Sequence, residues 1–216
     1  MNALERSAEP EALTRAPHRA QDADAEALAL AMNRYADGDD SAFAELFRKL
    51  STRLRAFLLR LSGRSDVADD LTQETFLRMH RARGSFAQGS AVMPWVYAIA
   101  RNCFIDYARV RSRMVLSSDD EGGALELSTG PEASAEEAVS ALRSAQTVER
   151  VLATMTVARR EAFVLLRYEG LSVEAAAQVL GISEGAVKLR AFHAYELLRA
   201  ALREPAVAPP SKERSR

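Results

Sequence analysis

The sequence predicts an all-α protein, with two small helical domains joined by a flexible acidic linker. Three observations lead there. Apolar residues recur at spacings of three and four through residues 27–113 and again from 135 onward, the period of helices that lay one face on a core. From 114 to about 133 that period gives way to Ser, Gly, Asp and Glu with Gly130-Pro131, a composition unable to bury a core. The chain's 216 residues also exceed the size of a typical single domain. The expected division is an extension at 1–26, a first domain at 27–113, a linker at 114–134, a second domain at 135–203 and a tail at 204–216.

The extension is rich in Ala and Glu and is interrupted by Pro10 and Pro17, so it is expected to be mobile. A short amphipathic helix follows over 27–35 and ends near Asp37-Gly38, with Asp39, Asp40 or Ser41 available to cap the next. That next helix places Phe43, Leu46, Phe47, Leu50, Leu54, Phe57, Leu58 and Leu61 on a long core-facing stripe, and Gly63 stops it. Ser65 or Asp66 can cap a third helix from Val67 to about Arg81, with Val67, Leu71, Phe76 and Met79 facing inward. Asp70, Gln73, Glu74 and Arg78 project together from it. An acidic first turn suits the helix dipole and accounts for Asp69 and Asp70, but not for Gln73 and Glu74. A loop at 84–90 leads onward.

The fourth helix begins at Pro94, a residue suited to a first turn, and runs to Arg113. At 100° per residue, Val96, Ile99, Cys103 and Val110 fall in one narrow arc, as packing on a core requires. Arg101 and Arg109 lie opposite, with Trp95, Asn102 and Arg113 along one margin and Tyr97, Phe104 and Arg111 along the other. Aromatic faces beside guanidinium groups can stack unpaired bases and hold phosphates. Taken alone, the stretch is equally an amphipathic helix with a solvated basic face.

After the linker, a helix carrying Val139, Leu142, Val148, Val151 and Leu152 starts at Ala135. Thr156 can cap the next, Val157 to Tyr168, which Gly170 ends; Ser172 caps a short helix, Val173 to Leu180. Gly181 turns the chain, and Ser183 caps a last helix from Glu184 to about Leu202. Small Ala177, then Gly181, Ile182 and Val187, form a helix-turn-helix pattern, whose second helix can lie in the major groove.

The net charge of −1 conceals a segregation: −5 over residues 1–40, +7 over 41–113, −6 over 114–146 and +3 over 147–216. Two basic bodies joined by an acidic strap suit a nucleic-acid partner. The lone cysteine, Cys103, sits on the apolar arc and reads as a small core residue in a reducing compartment. His18, His80 and His193 show no ligand spacing, so no metal site is expected. No nucleophile with a neighbouring base and no phosphate-binding glycine loop is present, so no catalytic residue and no cofactor is expected. No apolar run approaches the roughly 18 residues that span a membrane, and no signal peptide opens the chain, so a cytoplasmic protein, not itself of the membrane, is expected.

Ala42-Phe43-Ala44-Glu45-Leu46-Phe47, then Asp70 to Arg78, then Phe86, then Trp95 to Asn102 and Ile105-Asp106, resemble region two of the extracytoplasmic-function (ECF) group of bacterial sigma factors over about 75 residues. Tyr168 to Ser172, Ala177, Leu180 to Ser183 and Gly185 to Lys188 resemble region four of the same group. The resemblance implies that Asp70, Gln73, Glu74 and Arg78 lie on the helix that docks on core RNA polymerase. It implies that Phe86, Trp95, Tyr97, Arg101, Asn102 and Arg109 serve the downstream promoter element and its melting. It further implies that Ser183, Glu184, Gly185, Lys188, Leu189, Arg190, Phe192 and His193 serve the upstream element. Leu189, His193 and Met155-Thr156 depart from the residues the family often carries there, which leaves the preferred DNA sequence open. For Phe192 and Leu189, packing in the core is an equal reading.

The function expected is that of a sigma factor: it binds core polymerase, directs it to promoter DNA and assists melting, while the polymerase does the chemistry. The resemblance also implies an anti-sigma partner, often membrane-anchored. The competing expectation is a stand-alone helix-turn-helix regulator with an N-terminal sensing domain, against which the Asp70 to Arg78 motif speaks.

Overall fold

The computed structural model describes residues 18–115 and 135–203, with side chains over 24–113 and 145–203. Among these residues all regular structure is helical: α1 (His18–Ala36), α2 (Ala42–Ser62), α3 (Ser65–Ala82), α4 (Val92–Val115), α5 (Ala135–Thr154), α6 (Val157–Arg167), α7 (Val173–Leu180) and α8 (Glu184–Arg203), with one 3-10 turn at Arg83–Ser85. The predicted linker at 114–134 lies outside the described residues beyond Val115, as do 1–17 and the tail.

The first helix starts nine residues earlier than the periodicity predicts, at His18. Pro17 forbids a helix through itself but not one beginning just after it, and the Arg, Ala, Gln and Glu that follow are good helix formers that need no apolar stripe. Lys49 of α2 reaches back to Asp24 on it at 3.5 Å. The N-cap position of α2 is Ser41, which makes no side-chain cap bond; its own backbone N–H is accepted by Asp39 Oδ1 at 3.0 Å.

The α2 stripe buries Leu46, Leu50, Leu54, Phe57, Leu58 and Leu61, but Phe47 does not join it and stands 48% exposed. Phe47 meets the Phe76 ring at 4.8 Å and the Phe43 ring at 6.2 Å between centroids, and its outer side stays uncovered. Gly63 ends the helix at φ +71°, where its N–H donates to the Leu59 carbonyl at 2.8 Å. On α3, Val67, Leu71, Phe76 and Met79 are buried as expected. Ser65 and Asp66 are the first residues of that helix and not its cap; the N-cap position is Arg64, whose guanidinium pairs with Asp66 at 2.6 Å. Thr72 and Thr75 are buried without loss, because each hydroxyl donates to the carbonyl four residues earlier.

The second domain follows the predicted punctuation. Ser172 Oγ accepts the Ala175 N–H at 3.0 Å to cap α7, and Gly181, at φ +65°, lets the Ile182 N–H return to the Ala177 carbonyl at 3.2 Å. Thr156 precedes α6 without a side-chain cap; its carbonyl accepts Arg160 N–H at 3.1 Å instead. Replacing Ser172 with alanine is expected to cost about 1 kcal/mol, the usual worth of a serine cap. Urea denaturation followed by circular dichroism measures it, and an unchanged midpoint would mean the cap contributes nothing here.

The two domains pack on one another. Helix α7 lies against α4 and α6 against α2, and one apolar cluster runs from Val96, Ala100 and Phe104 into Ala176, Leu180 and Val187. This explains why α4 buries a wider arc than predicted. Tyr97 and Phe104, expected on a margin, are covered, since the helix is enclosed from two sides. No described residue of α4 beyond Phe104 is buried, and Val110, expected on the core arc, is exposed.

Candidate nucleic-acid interface

Helix α4 and the loop before it form the first surface. Phe86 is buried and meets Trp95 edge to face at 5.2 Å between ring centroids, which fixes the half-buried indole against the loop. Asn102 and Arg109 are exposed. Tyr97 and Arg101, on the other side of the helix, face the second domain. The Tyr97 ring packs on Phe57 at 4.9 Å and its hydroxyl donates to Glu169 Oε2. Arg101 Nε donates to Glu161 Oε1 at 3.0 Å. In this arrangement Tyr97 has no face open to a base.

Both carboxylates in that contact are buried, Glu161 at 2% and Glu169 at 8% exposure. Burial pushes the Glu161 carboxyl above the usual carboxylate range, opposed by the Arg101 charge. Burial does the same at Glu169, opposed by the Tyr97 hydroxyl and by Arg53 and Arg60. The Tyr97 phenol is itself held well above its ordinary value by burial and by the Glu169 charge. Around the contact, Arg53 donates to the Glu169 carbonyl at 3.3 Å, Arg60 lies 4.0 Å over the Tyr168 ring, and Arg160 donates to the Leu61 carbonyl at 2.7 Å.

The second surface is on α3. Asp70 and Gln73 are exposed, whereas Glu74 accepts from Arg78 at 2.7 Å and Arg78 donates on to Asp106 of α4 at 2.7 Å. Those two carboxylates, Asp106 first, hold the Arg78 guanidinium above its ordinary value. The predicted quartet is therefore divided: Arg78 and Glu74 tie α3 to α4, and Asp70 and Gln73 stay open. Beside Gln73 runs a mainly apolar groove of about 870 Å³, lined by Phe43, Phe47, Phe76, Leu77 and His80 among others. Phe47 and Leu77, each about half exposed, join this surface, and local periodicity does not mark them for it, since it places Phe47 on the core-facing stripe.

The third surface is α8. Val187, Ala191, Ala194 and Leu198 bury one side; Ser183, Glu184, Gly185, Lys188, Leu189, Phe192 and His193 are exposed on the other, with Arg190 half-buried. Phe192 and Leu189 thus take no part in the core. Ser183 Oγ accepts the Ala186 N–H at 3.3 Å, which holds the first turn, and Lys188 lies 3.8 Å from Glu184. Among the described residues no cluster of His, Cys, Asp and Glu is placed to hold a metal, and no helix is long and apolar enough to cross a membrane.

A helix-turn-helix presenting an open basic and aromatic helix, beside a domain with a basic helix of its own, defines a DNA-binding protein of transcription. Comparison with known proteins makes the class particular. The Sigma-70 region 2 family matches residues 46–114 and the Sigma-70 region 4 family matches residues 145–198. The RNA polymerase sigma factor CarQ of Myxococcus xanthus is 35% identical over 170 residues, covering 79% of this chain and 94% of its own. The ECF RNA polymerase sigma factor EcfG of Rhodopseudomonas palustris is 37% identical over 149 residues, 69% and 78% of the two chains. The sigma factor RpoE of Bartonella quintana, solved with the anti-sigma factor NepR, superposes with a TM-score of 0.63 at 29% identity, covering 74% of this chain and 96% of that one. The chain belongs to the ECF group of RNA polymerase sigma factors. It is thus a specificity subunit that directs RNA polymerase to promoters, and not an enzyme.

Proposed function

We propose that the three surfaces divide the work of initiation. The open part of α3, with Asp70, Gln73 and the groove between Phe47 and Leu77, docks on core polymerase. Helix α4 and the loop at Phe86 receive the downstream element and its opened strand through Trp95, Asn102 and Arg109, with Tyr97 and Arg101 joining them only once the second domain has moved. Helix α8 reads the upstream element from Ser183 to His193. The observation that supports this division most directly is that Phe47 and Leu77 stand about half exposed beside Gln73, and Leu189 and Phe192 stand exposed beside Lys188 and His193. A monomer with no partner would gain by burying them. The protein is proposed to act in the cytoplasm, with an anti-sigma factor as a regulatory partner, by analogy with the RpoE relative.

Replacing Gln73 and Glu74 by alanine is expected to weaken the complex with core polymerase while leaving the helical fold intact. Gln73 is exposed, and Glu74 offers only a half-exposed ion pair worth less than about 1 kcal/mol. Co-purification with core polymerase, beside circular dichroism, measures both. Undiminished co-purification would remove the docking role from α3. Transcription in vitro from a cognate promoter tests the division as a whole.

A further inference from the structure

Helix α8 meets solvent with an apolar crest. At about 100° per residue, Gly185, Leu189 and Phe192 fall within about 60° of one another, on the side away from the buried Val187, Ala191, Ala194 and Leu198. Leu189 is 57% exposed and Phe192 59%, more than any other large apolar side chain of the helix. Polar side chains flank the crest, Lys188 on one side and His193 on the other, with the His193 ring 5.9 Å from that of Phe192. Side chains that read base edges by paired hydrogen bonds are scarce on it. Helix α8 contains neither Asn nor Gln, the usual partners of adenine, and its Arg190 is half-buried at the margin.

An apolar crest can recognise little on the floor of the major groove. Only base pairs that contain thymine present an apolar group there, the C5-methyl. We propose that Leu189 is a specificity-determining residue, which takes a thymine methyl between its side chain and the Phe192 ring three residues further on. The proposal rests on the reading of α8 as the helix of the upstream element, and it names what that helix reads. Leu189 and Phe192 are separated by about 4.5 Å along the helix, little more than one base-pair step of about 3.4 Å, so the thymines they meet lie on one pair or on two neighbouring pairs.

Three features favour a DNA duplex over a protein as the partner of this crest. The turn at Gly181, with the Ile182 N–H returned to the Ala177 carbonyl, sets α8 against α7 as a groove-reading helix requires. Gly185 has open space where a Cβ would stand, so the first turn can approach the groove floor closely. Lys188 lies 3.8 Å from Glu184 in an exposed pair, a weak contact that the ammonium can exchange for a phosphate.

The test uses the holoenzyme, core polymerase with the full chain, and a promoter duplex that this holoenzyme selects from a pool randomised over both elements. Each thymine of the upstream element is then replaced singly by deoxyuridine, which keeps the pairing and removes only the methyl. Competition binding reads the affinity. Deoxyuridine at one position, or at two neighbouring ones, is expected to weaken binding about fourfold, as the burial of one methyl group implies. Leu189→Ala should bind the thymine duplex about fourfold more weakly and make no distinction between thymine and deoxyuridine there. Leu189 is exposed, so the variant keeps its fold, which circular dichroism checks. Lys188→Ala is the control and should weaken binding to all these duplexes alike while keeping the preference for thymine. An upstream element selected without thymine overturns the proposal, as does full sensitivity to deoxyuridine retained in Leu189→Ala. Indifference of the unmodified chain to every deoxyuridine overturns it too. If that chain is also indifferent to replacement of the whole upstream element, the reading of α8 falls with it; if replacement abolishes binding, that reading stands and only the methyl contact is lost.

Discussion

Replacing Phe57 with alanine is expected to lower the stability of the chain by about 3–5 kcal/mol, the usual cost of deleting a buried phenylalanine. Its ring is fully buried on α2 and packs at a tilt on Tyr97, 4.9 Å between centroids, and Tyr97 in turn ties α4 to Glu169 of the second domain. The cavity therefore opens between α2 and α4 at the residue that ties them to the second domain, and little around it can collapse inward, because Leu54, Leu58 and Leu61 on the same helix are themselves packed. Against a total stability of roughly 5–15 kcal/mol for a domain, such a loss is large. Phe47→Ala on the same helix is the comparison: it removes an equal volume, but from a ring 48% exposed in the α3 groove, and should cost about 1 kcal/mol. Urea titrations of the two variants separate them, and equal losses would mean that burial is not what distinguishes these two rings.

That comparison also marks where the sequence is legible. Periodicity places both phenylalanines on one stripe, and it finds the extent and inward residues of α3, the cap at Ser172 and the turn at Gly181, because each of these depends on neighbours within a few residues. What it misses depends on contacts distant in the chain. Phe47 turns out half exposed because no element covers that edge of α2. Tyr97 and Phe104 are buried because α7, some seventy residues on, lies across α4. Val110 is exposed, on the stretch of α4 beyond Phe104 where no described residue is buried. The candidate residues divide the same way. Those on α8 stand outward apart from the half-buried Arg190, which decides Leu189 and Phe192 against the core, whereas Tyr97 and Arg101 are committed to Glu169 and Glu161, a pairing across sixty to seventy residues that no local pattern encodes.

Asn102→Ala is expected to reduce promoter opening by about 5- to 150-fold, the equivalent of losing a base contact worth about 1–3 kcal/mol, with little change in the first encounter with duplex DNA. Asn102 is exposed on α4 outside the contact with the second domain, so the amide is available whether or not the domains have separated, and its loss should leave the fold intact. Trp95 precedes it by seven residues, two helical turns, and so lies on the same side of the helix, with its ring already fixed by Phe86. An unpaired base could stack on the indole while the amide reads its edge, and neither contact exists while the base is still in the duplex. The defect should therefore appear on an intact promoter and shrink on one melted in advance. Permanganate footprinting of both templates with core polymerase makes the comparison, and Phe86→Ala should reproduce part of the defect by releasing the Trp95 ring. Equal impairment of Asn102→Ala on the two templates would place the residue in base reading and take it out of strand separation.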